Sequence, residues 1–459
     1  MVSAVGTLKI HVDTADDFVM TKGQNRRTIS LFLLALVVAL PLAGCRTAKV
    51  GQRCTGNETA QTKTHVLVCK KGKFAVLMSK AEGLRLLAEY QAAQAAAAVE
   101  TPATTAVTAP TTTVAPPAPP EVFKVVAGYQ HSCAIVRGLV SCVGENTSGE
   151  IGNGNNNEAL SWTATGIRDA VDISTRSQTT CALRVAGTVT CWGYGLGGEL
   201  GNGAHANSNT PVDVLGINNA ISLSSNGGGT CAVLANNAVK CWGFRFGSAT
   251  PITLSVPPST QIAVGSTHMC GVRLDDSRPW CAGGNGEGQL GNGTMDYSEP
   301  PVAVLGGSSY RQIAIGENTT CGTRSDGKPA CWGSDEGFRL LGDGIVGDSS
   351  TPIVSPTLTN ISSVAIGATH ACALSTGGSV HCWGQGASGR IGNGLAANAF
   401  VPAAVTGISN AVQISAGLYH TCAMLADHTV KCWGGSGIAK GTGSTDSAMS
   451  PVQSTPVAP

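Results

Sequence analysis

Residues 420–434 of this 459-residue chain read HTCAMLADHTVKCWG, and they contain the unit from which the fold can be predicted. Two runs of strand-forming residues flank the polar turn Ala426-Asp427-His428, which is typical of an antiparallel hairpin. Cys422 and Cys432 lie on the two strands. Residues that face each other across such a ladder have Cβ atoms about 4.5 to 5.5 Å apart, close to what a disulfide requires. The stretch therefore predicts a hairpin cross-linked by one disulfide.

The same hairpin recurs seven times. Its cysteine pairs are Cys133 with Cys142, Cys181 with Cys191, Cys231 with Cys241, Cys270 with Cys281, Cys321 with Cys331, Cys372 with Cys382 and Cys422 with Cys432. Successive first cysteines are 48, 50, 39, 51, 51 and 50 residues apart. A period near 50 residues is typical of propeller blades.

Each repeat contains four short strand signals. An apolar run ending in glycine, such as 125–128, precedes the hairpin, and a glycine-rich loop, such as 198–203, follows it. A last short run around Thr210-Pro211-Val212 completes the unit. Four strands per repeat make one blade of a propeller, so we predict an all-β fold.

The order of these signals carries a family resemblance. Gly-x-x-His-x-x-Ala-Leu, a turn, Val-x-x-Trp-Gly, Gly-x-Leu-Gly-x-Gly and Pro-Val together resemble the regulator of chromosome condensation repeat. The resemblance covers residues 121–459 and implies a seven-bladed β-propeller. Three departures stand out: Val143 replaces tryptophan in repeat one, Trp280 precedes Cys281 in repeat four, and repeat three lacks the glycine-rich loop between Gly243 and Thr250.

The cysteines predict an oxidising compartment, because the cytosol would not keep seven disulfides. A zinc site is the alternative, but zinc ligands usually come as closely spaced pairs brought together in fours. Each bridge, closing a ring of about ten residues, would stabilise its blade by roughly 2 to 3 kcal/mol.

The N-terminal region predicts export. Arg26 and Arg27 precede the apolar run 31–40, which is too short to span a bilayer and fits a signal peptide. The following Leu-Ala-Gly-Cys resembles a bacterial lipoprotein signal, in which Cys45 becomes the lipidated first residue. An ordinary cleaved signal is the alternative. Residues 1–45 are thus predicted as the signal region, with Met20 as the true start because Asp13, Asp16 and Asp17 do not suit a basic n-region.

Three smaller segments are predicted between this signal and the propeller. Residues 46–78 form a small hairpin bridged by Cys54 and Cys69, residues 79–100 a short helix, and residues 101–120 a Pro/Thr/Ala-rich disordered linker. With Cys45, this assignment accounts for all seventeen cysteines.

Composition argues against several functions. Charged residues make up only 12% of the chain and the net charge is +1, so no basic stripe predicts nucleic-acid binding. The exchange activity of eukaryotic relatives on a small GTPase is not expected of an exported protein. No nucleophilic triad or carboxylate pair stands out, and the chain is predicted not to be an enzyme and to use no cofactor.

Two sets of repeated residues could suggest a site. His131, His268, His370 and His420 lie two residues before a blade cysteine, but Thr179, Gly229 and Thr319 replace them in the other repeats. A hydrogen-bonding residue can replace a structural histidine but not a metal ligand, so a structural role is favoured and no metal is predicted. The tryptophans that follow the second cysteine of five pairs are predicted as packing residues.

Partner binding is instead predicted where the repeat breaks. Trp162 lies outside the tryptophan register and is the candidate for an exposed aromatic anchor. Repeat three has Phe244, Arg245 and Phe246 at positions where the other repeats have small polar residues. These residues either form part of a binding face or fill space left by the deletion.

The sequence thus predicts a lipid-anchored binding module on the outer face of a bacterial cell membrane. Its partner would be a protein or an envelope polymer. One alternative is an inhibitor of a secreted enzyme, since an exported β-lactamase-inhibiting propeller of actinobacteria has the same repeat fold. The other is an envelope enzyme with its site on a propeller face.

Overall fold

The computed structural model describes residues 59–61, 65–70, 73–79 and 121–456, except for residues 227 and 436. The predicted signal region with Cys45, the helix over 79–100 and the linker 101–120 fall outside these residues, apart from Ser79, which ends a strand. Cys54 also falls outside them, so its predicted bridge to Cys69 stays a prediction. No helix among the described residues is long and apolar enough to cross a membrane.

The smaller unit contains one antiparallel sheet of three strands. Its strands are β1 (Thr59–Gln61), β2 (His65–Lys70) and β3 (Lys73–Ser79). β2 pairs antiparallel with both β1 and β3.

The larger unit is a propeller of seven antiparallel four-stranded sheets. Blades 1 to 4 consist of β4–β7 (Phe123–Ala127, His131–Val136, Leu139–Gly144, Ala159–Ala164), β8–β11 (Ala170–Thr175, Thr179–Arg184, Val189–Gly193, Ser208–Asp213), β12–β15 (Ala220–Asn226, Gly229–Leu234, Val239–Gly243, Ser248–Thr253) and β16–β19 (Ser259–Val264, His268–Arg273, Pro279–Gly283, Ser298–Ala303).

Blades 5 to 7 continue the same order to the C-terminal end. They consist of β20–β23 (Tyr310–Ile315, Thr319–Arg324, Pro329–Gly333, Ser349–Val354), β24–β27 (Ile361–Ile366, His370–Ser375, Val380–Gly384, Ala399–Ala404) and β28–β31 (Ala411–Ala416, His420–Leu425, Val430–Gly434, Ala448–Ser454). The described residues also include three 3₁₀ turns, at Phe244–Phe246, Ala387–Gly389 and Gly437–Lys440.

The first strand of every blade lines a central channel, whose cavity has a volume of about 220 Å³. Glutamine side chains on the first strand of one blade form hydrogen bonds with the backbone of the first strand of the next blade, as a paired β-strand would. Gln312, for example, accepts from the Val364 N–H and donates to the Val364 carbonyl, both at 2.8 Å. These bonds satisfy backbone groups at the sheet edges that face the channel.

The ring closes through side-chain contacts between blades 7 and 1. Each of these blades consists of four consecutive strands, so neither borrows a strand from the other end of the chain. Gln413 bonds both the N–H and the carbonyl of Val125 at 2.8 Å, and Ser415 accepts from Ala127 N at 3.0 Å. Trp162 also crosses this seam, as described below.

Antiparallel strand order gives the propeller two distinct faces. Face A carries the loops between the first and second strands and between the third and fourth strands of each blade. Face B carries the hairpin turns between the second and third strands and the connections between blades. Residue 121 enters the propeller at face B, and the last strand also ends there, because four antiparallel strands return to their starting side.

Candidate functional site

The seven predicted blade disulfides are all present, each between the second and third strands of one blade. The bonded pairs are Cys133 with Cys142, Cys181 with Cys191, Cys231 with Cys241, Cys270 with Cys281, Cys321 with Cys331, Cys372 with Cys382 and Cys422 with Cys432. The two cysteines of a pair face each other directly across the ladder, with Cα atoms 4.0 to 4.1 Å apart.

These cysteines have a structural role and form no surface site. None of the fourteen is more than 2% exposed. The disulfides therefore cross-link the hairpins inside the core and offer no thiol to the surface.

The four repeated histidines also have a structural role. Each is at most 1% exposed, and its Nε2 bonds a hydroxyl of the next blade. The bonds are His131 to Thr180 at 2.9 Å, His268 to Thr320 at 2.7 Å, His370 to Thr421 at 2.7 Å and His420 to Ser132 at 2.8 Å. The described residues contain no group of three His, Cys, Asp or Glu side chains arranged to hold a metal ion.

Five tryptophans fasten neighbouring blades together. Their indole N–H groups donate to a carbonyl in the glycine-rich loop of the preceding blade, at 2.8 to 3.0 Å. The pairs are Trp192 with Glu150, Trp242 with Glu199, Trp332 with Gln289, Trp383 with Leu340 and Trp433 with Arg390. A Cβ at Gly152, whose φ is +72°, would lie 2.8 Å from the Trp192 ring, so this loop position requires glycine.

The prediction that Trp162 is an exposed anchor is wrong. Trp162 is only 6% exposed and donates to Ser454 Oγ at 2.7 Å, across the seam between blades 1 and 7. It packs on Gly441, the counterpart of Gly152 in blade 7. Because repeat one has Val143 at the usual tryptophan position, Trp162 supplies the missing ring from the outer strand of its blade.

Phe244, Arg245 and Phe246 divide between the two predicted roles. The ring of Phe246 is partly buried against the core between blades 3 and 4 and lies over Gly229, at the histidine position of the repeat. Arg245 donates to the carbonyls of Ser266 at 2.7 Å and Thr267 at 2.9 Å, bracing blade 3 against blade 4. Both side chains fill the place of the missing loop.

Phe244 alone of these three projects into solvent, with 76% of its surface exposed. It lies on face A, where the loop of blade 3 has four residues and the corresponding loops of blades 2 and 4 have fourteen. This short loop leaves a notch between taller neighbours. An exposed aromatic side chain in a notch is a typical anchor for a protein partner.

Other apolar side chains lie exposed on the same face, and no sequence pattern had indicated them. The long loops of blades 4 to 6 expose Met295, Tyr297, Ile345, Val346 and Leu395 by 48 to 69%. Their exposure could not be predicted from the sequence, because glycine-rich loops have no periodicity that separates inner from outer positions.

The repeat is recognised directly in two segments of the chain. Residues 377–424 match the family model described as Regulator of chromosome condensation (RCC1) repeat, and residues 361–390 match a second model with the same description. The curated protein pim1 of Schizosaccharomyces pombe is 27% identical over 132 residues. That match covers 26% of this chain and 22% of pim1, so it spans about a fifth of the relative's length.

Solved structures match about two thirds of the chain. Yeast RCC1 (Prp20), determined bound to Kap60, superposes with a TM-score of 0.61 at 21% identity, covering 68% of this chain and 82% of Prp20. A second structure of Prp20p, from Saccharomyces cerevisiae and described with its binding to Gsp1p and histones, gives 0.60 at 21% identity, covering 68% and 85%. Human WBSCR16 gives 0.59 at 18% identity, covering 69% and 94%.

At these identities the structures show a shared fold, and the family models identify the repeat that builds it. The chain therefore matches the regulator of chromosome condensation repeat over residues 361–424, and its residues 121–456 form a seven-bladed β-propeller that resembles the solved structures of that family in fold.

Proposed function

We propose that this protein is an exported, lipid-anchored binding module that holds a protein or envelope polymer on face A of its propeller. The exposed Phe244 in the notch of blade 3 is the observation that carries the proposal. The propellers that it resembles include one solved in complex with another protein, which supports binding as the use of this fold. We assign no catalysis to it, and the absence of a small-GTPase partner stays a prediction.

The strand order distinguishes the two faces. The first strand of the propeller begins at face B and the last strand ends there, so face A carries only loops. Its loops come from all seven blades, so it presents one wide and varied surface.

The test replaces Phe244 with alanine and measures capture of the partner. Loss of an exposed aromatic anchor should weaken capture from the native cell envelope about tenfold or more. The melting temperature should stay within about 2 °C of the parent, because Phe244 contributes little to the core. Affinity is measured with the captured component after its identification, by titration against immobilised protein.

Val185→Ala is the matched control, because Val185 is 61% exposed in a hairpin turn of face B. It should leave capture unchanged. Equal capture by Phe244→Ala and by the parent protein would refute the role of the notch. Phe246→Ala should instead lower stability, since its ring is packed between two blades.

A further inference from the structure

The two faces of the propeller neutralise their carboxylates differently. On face B four carboxylates pair with arginines. Arg184 meets Asp169 at 2.8 Å, Arg273 meets Asp275 at 2.6 Å, Arg324 meets Asp326 at 2.9 Å and Arg137 meets Glu121 at 3.4 Å. Each of these acidic groups therefore has a cation of the same chain beside it.

Face A has an excess of seven negative charges in its described loops. The twelve acidic residues are Glu145, Glu150, Glu158, Glu199, Glu287, Asp296, Glu317, Asp335, Glu336, Asp343, Asp348 and Asp446, against the five basic residues Arg176, Arg245, Arg339, Arg390 and Lys440. Within the described part of the chain, none of these carboxylates forms an ion pair within 4 Å.

The basic residues of face A are held by other groups. Arg176 reaches across the channel mouth and donates to the carbonyl of Ile366 at 2.8 Å. Burial lowers the pKa of Arg176 to about 10, and the charge of Glu317 only partly opposes this shift. Lys440 donates to the Asp446 carbonyl at 2.7 Å, and Arg339 lies 3.9 Å from the Phe400 ring centre. The basic side chains of this face thus bind groups other than its carboxylates.

Five of these carboxylates form one acidic patch on blades 4 and 5: Glu287, Glu317, Asp335, Glu336 and Asp348. A shared hydrogen bond with Asp348, burial and repulsion raise the pKa of Glu287. Burial, followed by repulsion from Glu317, raises the pKa of Glu336, against a hydrogen bond from Asn318 that lowers it. The patch is therefore strained by its own like charges when no cation is bound.

Asp335 differs from its counterparts in the other loops. It occupies the loop position of Asn146 and Asn285, whose amides donate to loop carbonyls at 2.8 and 2.9 Å. An ionised aspartate cannot make that donation. Asp335 is 2% exposed, its Oδ2 accepts from the Gly347 N–H at 3.2 Å, its Oδ1 has no hydrogen-bond partner, and its N–H donates to the patch residue Asp348 at 2.8 Å. Burial, followed by repulsion from Asp348 and Asp343, raises the pKa of Asp335, so either a proton or a positive group would satisfy the second oxygen.

Exposed apolar side chains accompany the patch on the same two loops. Tyr297 on blade 4 is 69% exposed, and Ile345 and Val346 on blade 5 are 67% and 68% exposed. Carboxylates beside apolar side chains suit a peptide that carries both basic and apolar residues, whereas a simple ion would use only the oxygens.

We infer that the acidic patch docks a cationic segment of a partner protein, with lysine or arginine side chains at the carboxylates and apolar side chains against Tyr297, Ile345 and Val346. The inference rests on the proposed binding role of face A and names the chemistry of the partner. The carboxylates would steer its approach and the apolar contacts would hold it.

The test uses the full chain carrying Glu287→Gln, Glu317→Gln and Asp348→Asn together. The matched control is Asp275→Asn, Asp326→Asn and Asp427→Asn, which removes the same charge from face B. Fluorescence anisotropy measures binding of a labelled peptide of about twelve residues made of Lys, Arg and Leu. An analogue with Glu in place of Lys and Arg serves as the probe control.

We expect the patch variant to bind the cationic peptide about tenfold more weakly than the parent protein, and the face B control to bind it equally well. Raising NaCl from about 50 to about 300 mM should remove most of the difference, because exposed charges are screened. The glutamate analogue should not bind. Equal binding of the cationic peptide by all three proteins would overturn the inference.

Three further outcomes bear on this inference, and the last two separate it from the proposed function. Calcium binding that the patch variant loses, without peptide binding, would assign the patch to a metal ion and overturn the inference. If Phe244→Ala loses the envelope partner while the patch variant keeps it, face A binds but its partner is not recognised by positive charge. If the patch variant loses the partner and Phe244→Ala keeps it, the binding role of the notch is refuted and that of the acidic patch is supported.

Discussion

The four repeated histidines could suggest a metal site in the sequence, but in the structure each one bonds a hydroxyl of the next blade. The sequence favours a structural role because threonine and glycine replace histidine in three repeats. The hydroxyl partners could not be predicted, because each belongs to the next blade. Thr180, for example, lies 49 residues beyond His131 and is brought to it only by the stacking of blades. Contacts between blades remain hidden until the fold is known.

Buried histidines should make the propeller sensitive to acid. Burial lowers the pKa of His131 to about 4, and burial with nearby cations lowers that of His268, His370 and His420 to about 3. Histidine in the unfolded chain has a pKa near 6.5. Between pH 6.5 and 3 the unfolded chain therefore binds more protons than the folded protein, and the stability decreases as the pH is lowered. At pH 5, each of these histidines should lower the free energy of unfolding by about 2 kcal/mol relative to pH 7.5.

Denaturant unfolding at pH 7.5 and pH 5 measures this effect. His370→Gln should lose less stability between the two pH values than the parent protein, because glutamine does not titrate. His205→Gln is the control, since His205 is exposed in a loop of face A. The same pH dependence in His370→Gln as in the parent would mean that the pKa of His370 is the same in the folded and unfolded protein, which would contradict the prediction.

Two elements depart from the repeat, and each departure is compensated nearby. Blade 1 lacks the regular tryptophan that would contact blade 7, and Trp162 supplies an indole ring there from the outer strand of blade 1. Blade 3 lacks its long loop, and Trp280 of blade 4, displaced by two residues along its strand, donates to Ser259 at 2.9 Å within its own blade. The sequence showed where the repeat breaks. It did not show the compensation, because packing between blades overrides the local pattern.

Trp162→Phe tests whether this ring fastens the closing seam. The change leaves the buried Ser454 Oγ without its donor and should lower the free energy of unfolding by about 1 to 2 kcal/mol. Trp433→Phe, which breaks the regular bond to Arg390, should cost a similar amount. Tyr297→Phe should cost almost nothing, because its side chain is exposed. Unchanged stability of Trp162→Phe would contradict this role of the ring at the seam.

At the scale of the molecule, the number and order of blades could be predicted because each repeat encodes its own hairpin, disulfide and turns. The binding surface could not be predicted in the same way. Its charge is the sum of loops that lie about fifty residues apart, and none of those loops is strongly acidic across its whole length. The ion pairs of face B lie within single blades, whereas the acidic excess of face A appears only when the loops of all the blades are brought together.

The arrangement of anchor, stalk and propeller yields a last prediction. Lipidation of Cys45 would hold the protein on the membrane, since one cysteine in a signal of this type carries the attached lipid. Cys45→Ala should therefore move the protein from the membrane fraction to the soluble fraction. Mild proteolysis of the parent protein should cut within residues 101–120, because an extended Pro/Thr/Ala-rich segment exposes its backbone to protease.

The released fragment should begin near Glu121 and melt within about 2 °C of the full chain, because its core and its seven disulfides lie wholly inside the propeller. N-terminal sequencing and calorimetry measure both properties. A membrane-bound Cys45→Ala variant would refute the lipid anchor. A fragment cut inside a blade, or one that melts far below the full chain, would show that the propeller depends on the residues before it.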